Sequence, residues 1–395
     1  MFPSPTVLPQ HSFVCAAVLF LVSACTTAPV SETTSPALCE RDGISIRTDF
    51  PSAGQHICAP REDGFVLTVL PEPSLHGRIN PSPWYAFSVE GPVGENVQLM
   101  LDYGSYTHRY APVIQQSDES WRPLDKAQIT ELEDGHKAVL DLTLTSEALM
   151  VAGLPLVTTS KVDQWVNEIV AGYEVELVEY GRSAEGRKLT AMTCGSSEAE
   201  HLVVALTRQH PPEIAGSIAF QAFASEILTS YSDEVLANTR FLFFPMMNPD
   251  GVERGHWRHN TGAVDLNRDW FDASQPEVAS AQTLILSEAE GRTVDAFLDF
   301  HSTWRTLVYF HPFDTPSADS SFPEALKAAM DAEFTPQPDW ISSHNDGRGT
   351  SKNWALQTFN TPGMTIELGD FVSQDESRRV GELTAQVLQE VLSDP

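Results

Sequence analysis

Positive charge is scarce in this chain. Its 24 lysines and arginines face 54 aspartates and glutamates, a formal net charge of −30 over 395 residues. Nothing basic is concentrated enough to neutralise a phosphate backbone, which excludes nucleic acid as a partner. Cysteine is sparse as well: five residues and no CxxC pair, an unsuitable set for a cysteine-based zinc site. No internal repeat is present. The apolar run FVCAAVLFLVSAC, Phe13 to Cys25, is too short to span a bilayer as a mature helix. What remains is an ordinary folded composition, 42% hydrophobic and 20% charged, with length enough for two domains that each have a core.

The short apolar run ends in small residues, as an exported signal segment does. Val22-Ser23-Ala24-Cys25 resembles the bacterial lipobox, in which the cysteine is lipidated and becomes the new N-terminus. No Lys or Arg precedes the run, only His11 and the chain amine. Residues 1–24 therefore read as a lipoprotein-type signal peptide, and lipid on Cys25 would be the only membrane attachment. Thr26 after the cysteine resembles the outer-membrane sorting pattern, so the expected location is the outer membrane, facing the periplasm. Plain secretion and an uncleaved anchor are the alternatives. Residues 25–38, rich in Thr, Ser and Pro, read as a tether. In an oxidising periplasm Cys39 and Cys58 are free to pair, whereas Cys194 reads as a small buried residue.

Residues 39–152 carry short β-type runs separated by turns. WYAFSV and VQLMLDY flank the turn GPVGEN, and HKAVLDLTL closes the region. The expectation is a small all-β sandwich with no cluster of catalytic residue types. From 153 to 395 the pattern changes to α/β: helical periodicity in SKVDQWVNEIV, then apolar runs alternating with helical segments. LVVAL, FLFFPM, AFLDF and MTIEL are the buried-strand candidates of a mixed sheet flanked by helices. In open α/β sheets ligands bind outside the carboxyl ends of the strands. That rule brings His210, Glu213, the stretch Asn248–Arg268, His301 and Glu367 to one crevice.

Three groups in that crevice carry chemistry. His210 and Glu213, with His301 from a second strand, offer the three N and O donors that a catalytic zinc takes. The bland alternative is a surface turn with Glu213 favoured by a helix dipole. His256 and His259 have helical-turn spacing too, but lie in a Gly- and Asn-rich loop, and read as loop packing or substrate contact. Arg254, Arg258 and Arg268 suggest an anionic ligand group such as a carboxylate, against salt bridging with Glu253, Asp265 and Asp269. Glu367, inside an apolar strand, reads as a general base of raised pKa or as a structural glutamate paired with an arginine. Asn248-Pro249-Asp250-Gly251 has turn chemistry.

The order HPPE at 210–213, NPDG at 248–251, Arg258, DLNR at 265–268, FH at 300–301 and TIE at 365–367 resembles the M14 zinc metallocarboxypeptidases over roughly 155–395. GRSAEGR, Gly181 to Arg187, resembles that family's opening. Residues 40–150 look like the N-terminal β-domain of the cytosolic-carboxypeptidase branch. The resemblance implies one zinc per chain on His210, Glu213 and His301, and a peptide substrate. It also implies Arg258 polarising the scissile carbonyl, Asn267 and Arg268 holding the terminal carboxylate, and Glu367 as base. Lys352, in GRGTSKNW, falls where the family builds its side-chain pocket, which implies a preference for acidic C-terminal residues; a surface lysine capping the loop is the alternative. The digestive members have a mobile tyrosine before the catalytic glutamate. Here Tyr309 is the only tyrosine between His301 and Glu367, too close to His301 to be its counterpart, and Thr303 stands where a tyrosine is familiar. Rival readings are an acylase-type amidohydrolase of N-acyl amino acids, a peptidoglycan-peptide carboxypeptidase, and a binding lipoprotein without activity.

Overall fold

The computed structural model describes residues 38–75, 77, 83–316 and 319–393. The expected signal peptide, Cys25 and nearly all of the expected tether lie outside the described residues.

Residues 39–152 are built from strands. These are β1 (Cys39–Arg41), β2 (Ile44–Arg47), β3 (Gln55–Arg61), β4 (Gly64–Leu70), β5 (Ala86–Glu90), β6 (Asn96–Asp102), β7 (Val113–Gln115), β8 (Trp121–Pro123), β9 (Ile129–Leu132), β10 (Lys137–Thr143) and β11 (Ala148–Ala152). They form a six-stranded sheet, β1-β2-β5-β11-β7-β8, and a five-stranded sheet, β3-β4-β6-β10-β9. Strand alternation explains the sandwich: in β4, β6 and β10 every second residue is buried, as a sheet with one solvated face requires. Leu67, Leu99, Leu101 and Leu140 meet Phe87, Val89 and Val151 of the other sheet in one core. Cys39 and Cys58 are joined by a disulfide, and Cys194 is a buried free thiol whose pKa burial pushes up to about 12.

The rest of the chain builds an eight-stranded mixed sheet from β12 (Glu176–Arg182), β13 (Lys188–Cys194), β14 (His201–Thr207), β15 (Thr239–Phe244), β16 (Thr293–Thr303), β17 (Leu307–Phe310), β18 (Asp339–Ser342) and β19 (Met364–Gly369). Their order is β12-β13-β15-β14-β16-β19-β17-β18. The central β15, β14, β16 and β19 run parallel, so their carboxyl ends share one edge. Helices α1 (Thr159–Gly172), α2 (Ile214–Ser230), α3 (Asp233–Asn238), α4 (Pro249–Arg254), α5 (Pro276–Glu288), α6 (Ser321–Glu333), α7 (Ser351–Phe359) and α8 (Gln374–Ser393) complete the region. One face of the sheet is covered by α1, α2, α6 and α8, with Phe220 and Phe223 of α2 at the centre. The opposite face packs on Trp270, α5 and α7. Both faces covered explains why the central strands read as continuous apolar runs rather than alternating ones.

NPDG differs from its sequence reading. It starts α4: Asn248 is the N-cap, accepting from Gly251 N at 2.9 Å, and Pro249 opens the helix. The same residue types serve turns and helix starts, and only the chain beyond Gly251 distinguishes them. Sandwich and sheet meet closely. Ser52 N donates to Glu253 O at 3.0 Å and Ser52 Oγ to Val252 O at 2.8 Å. Gly255 sits at φ +63°, where a Cβ would lie 2.6 Å from Gly54 Cα. Trp84, Tyr110, Leu154 and Trp257 form a small core across the joint.

Candidate active site

The chain leaves β14 through Arg208, held at φ +60°, and Gln209. It then presents His210, turns on Pro211 and Pro212, and enters α2 with Glu213 as N-cap. Two prolines keep this loop from continuing into helix, so both side chains reach the carboxyl edge of the sheet. His301 lies near the end of β16, next to that edge. The three converge: His210 Nδ1 and Glu213 Oε1 are 2.7 Å apart, His301 Nδ1 and Glu213 Oε2 2.6 Å, and the two Nδ1 atoms 3.2 Å. All three residues are buried, and their ligand atoms lie within 4.8 Å of one another.

Outer contacts orient both rings. His210 Nε2 is 2.9 Å from Asp265 Oδ1. His301 Nε2 is 2.8 Å from Asp299 Oδ1, an ion-pair distance without hydrogen-bond alignment, and 3.2 Å from Asn267 Nδ2. Asp299 is itself held, accepting from Gln209 Nε2 at 2.6 Å and from Ser351 Oγ, while Gln209 Oε1 accepts from Trp270 Nε1 at 2.9 Å. Each imidazole thus turns one nitrogen to the shared centre and the other to a buried carboxylate, the arrangement that fixes metal-ligating histidines. Two nitrogens and a carboxylate, buried and oriented, fit a three-ligand zinc site. Burial opposes ionisation of Glu213, yet the neighbouring His210 and His301 hold its carboxyl far below the ordinary range. Burial likewise opposes the charge on His301, but Asp299 and Glu213 raise its pKa well above the usual value.

Around this centre lies a cleft of about 220 Å³, whose lining includes Arg109, Tyr110, Arg258, Asn267, Arg268, Tyr309, Lys352 and Glu367. Glu367 stands beside His301 in the parallel β16–β19 register. Part of its side chain meets solvent, but Oε2 is enclosed without a hydrogen-bond partner. Burial pushes its pKa up to about 8 against the opposing pull of His301 and Arg258. Arg258 donates from Nε to Asp265 Oδ2 at 2.7 Å, so Asp265 ties it to His210. Burial disfavours the Asp265 charge, but Arg258 and His210 keep its pKa well below the carboxylate range. Arg268 donates to its neighbour Asn267 O at 2.6 Å, and Asn267 Oδ1 accepts from Ser351 N at 3.0 Å. Lys352, in the first turn of α7, is buried rather than a surface residue; Nζ donates to Asn353 Oδ1 at 3.0 Å and lies 3.7 Å from Asp346. Burial lowers its pKa.

Several expectations change. Arg254 does not join the arginine cluster: it is over half exposed and pairs with Glu185 at 3.0 Å, because Gly255 ends α4 and turns the chain before Arg258. His256 and His259 pack in the joint, His256 Nδ1 on His259 O at 3.0 Å and His259 Nδ1 facing Glu72 Oε1 at 3.2 Å. Tyr309, near His301 in sequence, nevertheless lines the cleft, since β17 returns antiparallel beside β19 and sets it opposite Thr365. The sandwich, expected to carry no cluster of catalytic residue types, contributes Arg109 and Tyr110 to the lining, and Glu72 accepts from Arg258 N at 2.9 Å. A lone arginine some hundred positions before the first histidine carries no local signal. Asp299 did have one, a carboxylate inside an apolar strand two residues before His301.

A buried His-Glu-His centre at the carboxyl edge of a mixed sheet, with a glutamate and two arginines beside it, defines a metallohydrolase of α/β class. The chain belongs to the zinc carboxypeptidase family, whose model matches residues 162–384. Cytosolic carboxypeptidase 2 of Danio rerio is 28% identical over 270 residues, 60% of this chain and 37% of that protein. The chain thus spans little more than a third of that relative. An uncharacterised protein of Zymomonas mobilis is 25% identical over 311 residues, 72% of this chain and 78% of its own length. Among solved structures, a metallo-carboxypeptidase from Burkholderia cenocepacia superposes with TM-score 0.73 at 19% identity, covering 89% of this chain and 99% of that one. A Pseudomonas aeruginosa metallo-carboxypeptidase in complex with (2-guanidinoethylmercapto)succinic acid gives 0.70 at 22%, covering 88% and 99%. At these identities the structures establish a shared fold, the β-sandwich included.

Proposed function

We propose that the chain is a zinc-dependent carboxypeptidase that removes single residues from peptide C-termini and favours acidic ones. The observation that carries this reading is the convergence of the His210–Glu213–His301 centre with Glu367, Arg258, Asn267 and Arg268 in one cleft. His210, Glu213 and His301 would hold zinc, which when bound supplies Lewis acidity toward a carbonyl and acidifies a water.

The chain's own residues do the rest. Arg268 and Asn267 receive the substrate's terminal carboxylate, which sets the C-terminal residue as the one removed. Arg258 keeps Nε on Asp265 and turns its remaining donors to the scissile carbonyl oxygen, where negative charge develops. Glu367 takes a proton from the attacking water as its oxygen bonds to the carbonyl carbon. It returns that proton to the nitrogen as the C–N bond breaks. Lys352, buried yet lining the cleft, supports pairing with an acidic terminal side chain. The Val22–Cys25 pattern supports export and lipid attachment at Cys25, which loss of lipid labelling in Cys25→Ser would test.

The deciding experiment is mass spectrometry of a mixed peptide pool incubated with the protein, with and without a zinc chelator. The pool varies the C-terminal residue, including Glu, Lys, Leu and D-Ala, and contains N-acyl amino acids. Chelator-sensitive loss of single C-terminal residues, Glu foremost, is the expected result. Cleavage of N-acyl amino acids alone would move the reading to an acylase, and no cleavage with zinc bound would favour a binding protein.

A further inference from the structure

Lys352, Arg268, Tyr309 and His344 lie together in the cleft lining: Tyr309 stacks on His344 with ring centroids 4.0 Å apart, and both Arg268 and Lys352 act electrostatically on His344. Arg109 lines the same cleft with a different set of neighbours. Its electrostatic neighbours are Tyr110, Asp370 and Glu213, and its guanidinium lies 4.9 Å from the Trp257 ring and 5.0 Å from that of Tyr110. Phe371, 59% exposed, continues this apolar wall 6.3 Å from Tyr110. With the terminal carboxylate at Arg268 and the scissile carbonyl at the His-Glu-His centre, the rest of a peptide leaves toward Arg109.

Arg109 is held in place and left with donors to spare. Nη2 donates to Asp370 Oδ2 at 2.7 Å, with side chains 26% and 3% exposed. That is its hydrogen bond among the described residues, while a guanidinium carries five N–H donors. The two aromatic rings restrict the guanidinium plane, which keeps the entropic cost of further hydrogen bonds low. Asp370 already neutralises the charge, so the pair suits an uncharged acceptor better than a carboxylate.

We propose that Arg109 is a substrate-binding residue supplied by the β-sandwich, donating to the peptide carbonyl immediately N-terminal to the scissile one. This rests on the carboxypeptidase reading and adds to it that the site is incomplete without the sandwich. It also accounts for the joint: the sandwich that presents Arg109 supports the Arg258 backbone through Glu72.

Two probes with the same C-terminal residue separate the roles. Acetyl-alanyl-glutamate has the upstream carbonyl; 2-methylpentanoyl-glutamate matches its length and branching without one. The full chain loaded with zinc is assayed as wild type, Arg109→Gln and Arg109→Lys. For Arg109→Gln the expected result is a rise in KM of about tenfold on the acetyl-alanyl probe, with kcat held within about twofold and little change on the other probe. Arg109→Lys, which keeps a cationic donor beside Asp370, is expected to recover part of that loss. Equal losses on both probes in both variants, or no loss on either, overturn the assignment. A wild type inactive on both probes overturns the carboxypeptidase reading itself, whereas an active wild type with probe-independent variants overturns only the role of Arg109.

Discussion

Gly216 lies in the first turn of α2, three residues after Glu213, and its N–H donates to Ser302 Oγ at 2.9 Å. A Cβ at this position would stand 2.6 Å from the carbonyl carbon of His301 and 2.8 Å from its nitrogen. Ordinary carbon contacts fall at about 3.5–4.0 Å, and both partners are backbone, so no side chain can swing aside. Gly216→Ala must therefore push α2 from β16 by about 1 Å. Glu213 caps α2 and His301 belongs to β16, so that displacement opens the 2.6 Å contact between them. Overpacking of this kind costs about 1–3 kcal/mol. Misplacing ligands by about 1 Å costs on the order of a hundredfold in rate, and disturbed ligand support weakens metal binding about 10- to 100-fold. Chelator-competition titration, kcat/KM and denaturant unfolding measure the three effects. Gly172, at the end of α1 with nothing within 4 Å of a Cβ, is the control: its alanine variant is expected to be neutral or slightly stabilising. A Gly216→Ala protein with zinc affinity and kcat/KM within twofold of wild type would refute the close-approach reasoning.

Three further outcomes are expected. Glu367→Gln should lower kcat by about 10²–10⁴ while zinc stays bound by metal analysis; a near-normal kcat removes Glu367 as the base. Lys352→Gln should cut the ratio of kcat/KM for peptides ending in Glu over those ending in Leu by about tenfold, and an unchanged ratio sinks the acidic preference. Burial raises the folded pKa of Asp370 to about 6, the Arg109 pairing notwithstanding. The folded state thus binds this proton more tightly than the unfolded chain, and the stability it contributes is full below about pH 4 and lost as pH rises through about 6. In excess chelator, wild type should fall relative to Asp370→Asn by up to about 3 kcal/mol between pH 4 and 7; a constant difference in unfolding free energy would contradict the shift.

Much of the candidate site is legible along the chain because the relevant signals are local. His210 and Glu213 share one strand-to-helix loop, and His301 and Glu367 each lie in an apolar strand whose burial pattern is legible. The strand runs themselves state the α/β alternation and, before it, the alternating pattern of a sandwich. Where the structure differs, the deciding contact is between distant segments. Arg254 and Arg258 stand four residues apart, yet Arg254 pairs with Glu185 at the surface while Arg258 pairs with buried Asp265. Tyr309 reaches the cleft because β17 pairs with β19, a pairing that its place in the chain does not show.

Periodicity and short motifs are written along the chain, and they carry the fold class, three residues that the structure gathers into one cluster, and the family resemblance that the match over residues 162–384 bears out. The orientation of the histidines by Asp265 and Asp299, the burial of Lys352 within the cleft, and the reach of Arg109 and Glu72 from the sandwich toward the site arise in the packed fold alone. These depend on distances of a few ångströms between residues as many as 261 positions apart, as in the Arg109–Asp370 pair. No local pattern encodes such a distance; the packing of the sandwich against the sheet creates it.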